Sequence, residues 1–239
     1  MKGKHIPIII IVCLIFICSI GFMAMSTWIT ASPINLAVQH LEDIHADPSS
    51  KQVVAIINDS ETITEADVSH MLALSEAAYE MNKEYIQNSN DYSTSEKKEL
   101  LDSLEPETRN QIIKKLVEKK VLLQKATELG ITVTETEIEE LIQSNHAAMN
   151  EGVRNNDPAS ITAKAVYDSY IESLGITPEE YIEEYESPII KEAIMLQKLK
   201  EYITADLSPL EKENIVQVDR IYNDYISDVI DAATIEYPE

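Results

Sequence analysis

The feature that most constrains this chain is a run of twenty residues, Ile6 to Met25, without a single charge. As a helix such a run rises about 30 Å, the thickness of the hydrocarbon core of a bilayer. Lys2 and Lys4 precede it, and no acidic residue occurs before Glu42. That charge bias predicts a cytoplasmic N-terminus, with the remaining chain on the other side of the membrane. Pro7 falls in the first turn, where its missing N–H costs little. Trp28 falls at the far headgroup level, which suits an amphipathic ring.

Two readings of the run share this topology: a retained anchor and a cleaved signal peptide. A cleaved signal has an apolar core of roughly 7–15 residues and small residues at the cut. This run is longer, and the best cleavage candidate, Ile29-Thr30-Ala31, places a bulky residue where a small one is wanted. The anchor is the favoured reading. Lipid attachment at Cys18 is disfavoured, because Ile15, Phe16 and Ile17 precede it. Residues 1–31 are thus expected to form the anchor or signal, 32–51 a linker, and 52–239 one domain.

Beyond the run the chain holds all 42 acidic residues against 17 of the 19 basic ones, a net charge of about −25. Such a surface repels nucleic acid and anionic headgroups, so neither is expected as a partner of the domain. Its plainest use is solubility, with attraction of basic clients or cations as the sharper use. Both cysteines, Cys13 and Cys18, lie inside the apolar run. The domain therefore has no disulfide framework and no cysteine-based metal site. About 200 residues are enough to bury a core without such staples.

The linker mixes Pro33, Pro48, Ser49 and Ser50 with a short amphipathic piece, Leu36 to Ile44. Val53 to Ile57 reads as a strand, Asn58-Asp59-Ser60 as a turn, and Thr62-Ile63 as an antiparallel return. From there the signals are helical. Thr64 with Asp67 opens a helix over 65–87. A polar stretch, 88–95, breaks it. A short helix is expected near 96–104 and a long one over 107–129, with Ile112, Ile113, Leu116, Val117, Leu122, Leu123 and Ala126 on its apolar face. Gly130 suits a left-handed cap.

Thr134 with Glu137 opens the next helix, expected to run to Met149, with a loop from Glu151 to Pro158. Ile161 to Leu174 then closes on Gly175. Thr177-Pro178-Glu179-Glu180 supplies a cap, an N1 proline and an N3 acid for a helix towards Ile203. Pro188 predicts a kink or break there. Ser208-Pro209-Leu210-Glu211 repeats the device. The last helix carries Ile215, Val218, Tyr222, Tyr225 and Val229 as one stripe. Leu129-Gly130-Ile131-Thr132 recurs as Leu174-Gly175-Ile176-Thr177, two uses of one helix connection without a fixed-period repeat.

The ordered set VVAIINDSETITEADV, IIKKLVEKKVLLQKATELGITVTETEIEELI, LGITPEEYIEEYESPIIKEAIMLQKL and YNDYISDVIDAATIE resembles the N-terminal chaperone domain of the SurA, PrsA and trigger-factor-like foldases. The closest stretch is Leu116 through Ile138, and the likeness extends over most of Gln52 to Glu236. Together with the apolar run as an N-terminal transmembrane helix, it implies a mainly α fold: a helical bundle with a short two-stranded β element near its start. It also implies a closing C-terminal helix packed on the N-terminal helices. Many such foldases carry a parvulin-type prolyl isomerase before that helix. Here Ile203 to Pro209 joins the two parts directly. The domain has three glycines, Gly130, Gly152 and Gly175, and no phenylalanine. Isomerase activity is therefore not expected.

The implied function is a membrane-tethered, ATP-independent chaperone for unfolded or partly folded exported polypeptides. The alternative is a structural or regulatory protein binding one dedicated partner in an envelope or sporulation assembly. No catalytic residue, cofactor or metal ligand is expected, and no residue is singled out as contacting a client. His5, His40, His45, His70 and His146 show no ligand spacing. There is no Gly-x-Ser-x-Gly elbow and no Gly-rich phosphate loop. The acidic runs Glu137-Glu139-Glu140 and Glu179-Glu180-Glu183-Glu184-Glu186 read as solvated faces and first-turn charges rather than calcium ligands. Asn58-Asp59-Ser60 is a formal glycosylation sequon, read here as a turn. Tyr167, Tyr170, Tyr181, Tyr185, Tyr202, Tyr222 and Tyr225 could line an adaptable surface, though ordinary packing is expected for most. Met71, Met81, Met149 and Met195 are equally flexible lining or core.

Overall fold

The computed structural model describes residues 51–88, 92–208 and 214–238. The apolar run, the linker before residue 51 and residues Pro209 to Glu213 lie outside them. Among the described residues no helix is long and apolar enough to cross a membrane.

The chain opens with a hairpin. β1 (Val53–Ile57) pairs antiparallel with β2 (Glu61–Thr64), Ile57 opposite Glu61 and Ala55 opposite Ile63. Asn58 and Asp59 both take positive φ, 49° and 56°. Short polar side chains tolerate that conformation, and a turn with two such residues matches the strand twist. A third strand, β3 (Ile235–Glu236), was not expected. It pairs with the other edge of β1, so that the strand order is β2-β1-β3.

Among the described residues seven helical stretches follow β2. They are α1 (Glu65–Asn88), α2 (Thr94–Ser103), α3 (Arg109–Glu128), α4 (Glu135–Arg154), α5 (Pro158–Leu174), α6 (Pro178–Tyr181) with α7 (Ser187–Ile203), and α8 (Ile215–Ala232). Their starts are set by local chemistry. Ser93 with Glu96, Thr108 with Gln111, Thr134 with Glu137 and Thr177 with Glu180 form reciprocal capping boxes. Each satisfies two backbone donors that a helix start leaves open. The Thr64 and Asp67 pair does the same for α1. α8 starts on Asn214, whose side chain accepts from the Gln217 amide. Gly130 and Gly175 take φ of 73° and 66°, as left-handed caps require.

Two expectations are corrected. α4 runs to Arg154, so the loop before α5 is short. Gly152 lies buried inside the helix rather than breaking it, and Asn156 turns the chain at φ 54°. Pro188 causes no break. α6 and α7 are joined by a π-helical turn, Ile182–Glu186, in which the Ser187 amide reaches the Ile182 carbonyl. Proline lacks an N–H and crowds the carbonyl four residues before it, here that of Glu184. The wider turn just upstream accommodates both effects.

Among the described residues apolar burial is divided among four clusters. Ala55, Ile57, Ile63, Val68, Ile112, Val117 and Val121 form the largest, with Val229, Ile230, Ala233 and Ile235 packed on it. Leu122, Ala126 and Leu199 join α3 to α7, with Tyr225, Ile226 and Val229 of α8 alongside. Ile138, Ile142 and Ile190 join α4 to α7. Ala73, Ile171 and Tyr181 tie α1 to α5 and α6. α3 is the spine. Its lysines and arginine reach outward, Arg109 to Glu65 of α1, Lys120 to Glu61 of β2 and Lys119 to Glu192 of α7.

Candidate functional site

Two places hold chemistry that packing alone does not require. The first is a polar seam where α4 and α5 meet the π-helical turn. The turn rotates Glu186 inward, and its residue is only 4 % exposed. The His146 Nε2 lies 3.0 and 3.1 Å from its two carboxylate oxygens. The Tyr167 hydroxyl donates to Glu186 at 3.4 Å. Burial, and then the Glu186 carboxylate, push the Tyr167 phenol well above its ordinary value. Aromatic rings continue the seam. His146 meets Tyr167 edge-on at 5.2 Å, Tyr167 meets Tyr181 edge-on at 5.3 Å, and Tyr181 stacks on Tyr185 at 5.7 Å. Such pairs add about 0.5–1.5 kcal/mol beyond area burial. Asn145, in the same turn of α4 as His146, is fully buried, and neither side-chain amide atom meets a partner.

The seam is a lock between helices. Among the described residues no three His, Cys, Asp or Glu side chains are placed to hold a metal ion. The acidic face of α4 is engaged elsewhere. Lys198, and then the Thr134 cap, hold the Glu137 carboxyl down to about 2. Lys198 also donates to the Thr132 carbonyl at 2.8 Å, fastening the start of α4 to α7. Thr177 holds the Glu180 carboxyl below its ordinary value through its backbone and side chain. These acids are helix-start partners.

The second place is the sheet edge with α8. The stripe of α8 faces α3 and α7, yet Val218, Tyr222, Tyr225, Ile226, Val229 and Ile230 are all only partly buried. Lys200 pairs with Asp219 at 2.9 Å and lies over the Tyr222 ring. Burial, and then Glu118, raise the Tyr222 phenol. Past α8 the chain meets the hairpin turn. The Asn58 amide donates to the Thr234 carbonyl, and the Asn58 side chain accepts from the Thr234 amide, each at 2.9 Å. The Asn58 side chain also donates to Gln124 of α3 at 2.7 Å. One residue thus clasps three parts of the chain.

The residues singled out from sequence divide between these places. Tyr167, Tyr181, Tyr185 and His146 meet in the seam, and Tyr222 and Tyr225 lie on α8. Tyr202 is exposed at the end of α7 and joins neither. Met149 is core, while Met71 and Met195 pack at cluster margins. His70 lies on α1. His5, His40 and His45 lie outside the described residues, and the side chains of Tyr170 and Met81 are not among those described. The pairing of His146 with Glu186 spans forty positions and leaves no local pattern.

The family described as the SurA-like N-terminal domain matches residues 2–200. That range takes in the apolar run and every element through most of α7, and stops before α8 and β3. No curated protein and no solved structure matches the chain. With the match covering most of its length, and a hairpin followed by capped helices beneath it, the chain belongs to the SurA-like N-terminal domain family.

Proposed function

We propose that this protein is a membrane-tethered, extracytoplasmic chaperone-like protein that binds unfolded or partly folded exported polypeptides without ATP. Family membership supports the class, since it is the SurA-like domain that the chain carries. The observation that carries the reading is the state of the apolar surface. The α8 stripe is wide, runs the length of the helix, and buries none of its described residues fully. Half-covered aliphatic and tyrosine surface can give shallow, adaptable contact to varied chains. Affinity is modest because the client loses conformational freedom on binding. Acidic side chains around the stripe, Asp224, Asp228 and Asp231 among them, keep bound complexes soluble. The run Ile6–Met25 supplies the tether and places the domain outside the cytoplasm. Prolyl isomerisation is not part of this function.

The test uses the full chain in lipid nanodiscs. It should suppress aggregation of several unrelated denatured enzymes at roughly stoichiometric amounts. Capture of one dedicated partner with no such suppression would replace this reading with the assembly alternative. A proline-isomerisation assay on a short peptide should run at the uncatalysed rate, and a clear acceleration would overturn the non-enzymatic part.

A further inference from the structure

β1 has two neighbours of unequal extent. β2 pairs from Val53 to Ile57, with one irregularity in register between Val53 and Ala55. β3 offers only Ile235 and Glu236, opposite Ile57 and Ile56. On that side Val53, Val54 and Ala55 have no strand partner among the described residues. A ladder this short is marginal by itself.

The helix that delivers β3 is held lightly as well. No described side chain of α8 is fully buried. Its ion pair with Lys200 joins two side chains that are 35 % and 48 % exposed, a kind of pair worth little in water. Yet α8 and β3 pack on a cluster in which Ala55, Ile57 and Ile112 have no exposure at all. A firm floor lies under a loosely held cover.

The cover also shows what the edge accepts. Ile235 lays a branched aliphatic side chain on the cluster. The backbone on either side of it pairs with β1, and the Asn58 amide and side chain meet the Thr234 carbonyl and amide. Nearly all of this recognition is of main chain, the one feature every unfolded polypeptide shares. Strand addition of this kind takes affinity from the ladder and selectivity from alternate side chains.

We infer that the outer edge of β1 is the site that binds an extended client segment, and that β3 is its resident stand-in. An incoming strand with a branched aliphatic residue displaces β3, pairs with Ile56 and Ile57, and can extend the ladder towards Ala55. α8 lifts with β3, baring Val121 and Ile112 for further apolar contact. The resident strand has the advantage of being on the same chain. The client has the advantage of a longer ladder. This competition makes binding reversible without a nucleotide. The inference rests on the chaperone reading and names the surface that reading requires.

The experiment locks the cover. In the full chain, with Cys13→Ser and Cys18→Ser, the facing residues are changed to Ile56→Cys and Glu236→Cys. A disulfide across such a pair is within reach of antiparallel backbone spacing. The oxidised protein should need on the order of tenfold more chain to suppress aggregation, since the competent population is removed, and reduction should restore the parent value. Equal suppression by oxidised and reduced protein would overturn the inference and leave the chaperone reading intact. If the reduced protein and the parent suppress nothing, the chaperone reading fails and this inference with it. A second measurement is independent of aggregation. With a carboxymethylated, permanently unfolded protein in excess, amide exchange should rise at Thr234 and Glu236, whose N–H groups face the hairpin, while Ile56 and Ile57 stay protected. Unchanged protection at all four amides would overturn the inference.

Discussion

The sheet end and the seam end of this molecule solve the same problem with different materials. At the sheet end, β1, β2, α3 and α8 meet over aliphatic side chains, and distant parts of the chain are joined by main-chain hydrogen bonds. At the seam end, α4, α5 and the π-helical turn meet over Glu186, His146, three tyrosines and Asn145. Aliphatic packing is tolerant of small shifts, because it is non-directional. A buried carboxylate is not, because a lost partner leaves a charge without water. The comparison separates a surface able to rearrange from one that holds a fixed geometry.

The largest effect should come from breaking the sheet end. Ending the chain at Ser208 removes α8 and β3, and with them the half-buried Ile226, Val229, Ile230 and Ile235 that pack on the core. At roughly 1 kcal/mol each the loss is about 4 kcal/mol, a large share of typical domain stability. Thermal unfolding should shift by tens of degrees or lose its cooperativity. An unchanged melting temperature would show that α8 closes nothing. Next comes the seam. Glu186→Ala should cost about 2 kcal/mol, less than a fully buried pair because His146 is partly open to water. Urea midpoints would read it, and Glu186→Gln should recover part of the loss by keeping the shape and one acceptor.

Asn145→Leu should act in the opposite direction. Its amide is fully buried without partners, so an apolar side chain of similar size should stabilise by about 1 kcal/mol. A lower urea midpoint would show that the amide has a role in holding the seam. The smallest effect is electrostatic and belongs to the strap between α4 and α7. The folded Glu137 carboxyl sits at about 2, below the ordinary 4.5. Its contribution is complete above about pH 4.5 and disappears as the pH falls towards 2. Glu137→Gln should therefore be less stable than the parent near neutrality and indistinguishable from it at about pH 2. A difference that persists at pH 2 would assign the effect to packing instead.

The two ends also differed in how far they could be read from the sequence. Signals with short reach were legible. The hairpin, the Thr64, Thr134 and Thr177 starts, the Gly130 and Gly175 caps and the α8 stripe all lie within a few residues of their cause. β3 was missed because two residues cannot show a strand period. The π-helical turn was missed because Pro188 marks the place of strain but not which turn absorbs it. Gly152 was read as part of a loop, since glycine weakens an isolated helix, whereas here tertiary packing keeps it helical. The His146 and Glu186 pair needs three elements in place before the two residues are neighbours at all.

The clasp at Asn58 has a consequence for the order of assembly. It joins the hairpin turn to Thr234, a separation of 176 positions. During synthesis the hairpin and α3 emerge first, and the strand that completes their sheet follows only after α4 to α8. Closing so wide a loop is entropically costly and slow relative to local helix formation. Until α8 and β3 arrive, the chain therefore carries a bare aliphatic face of its own.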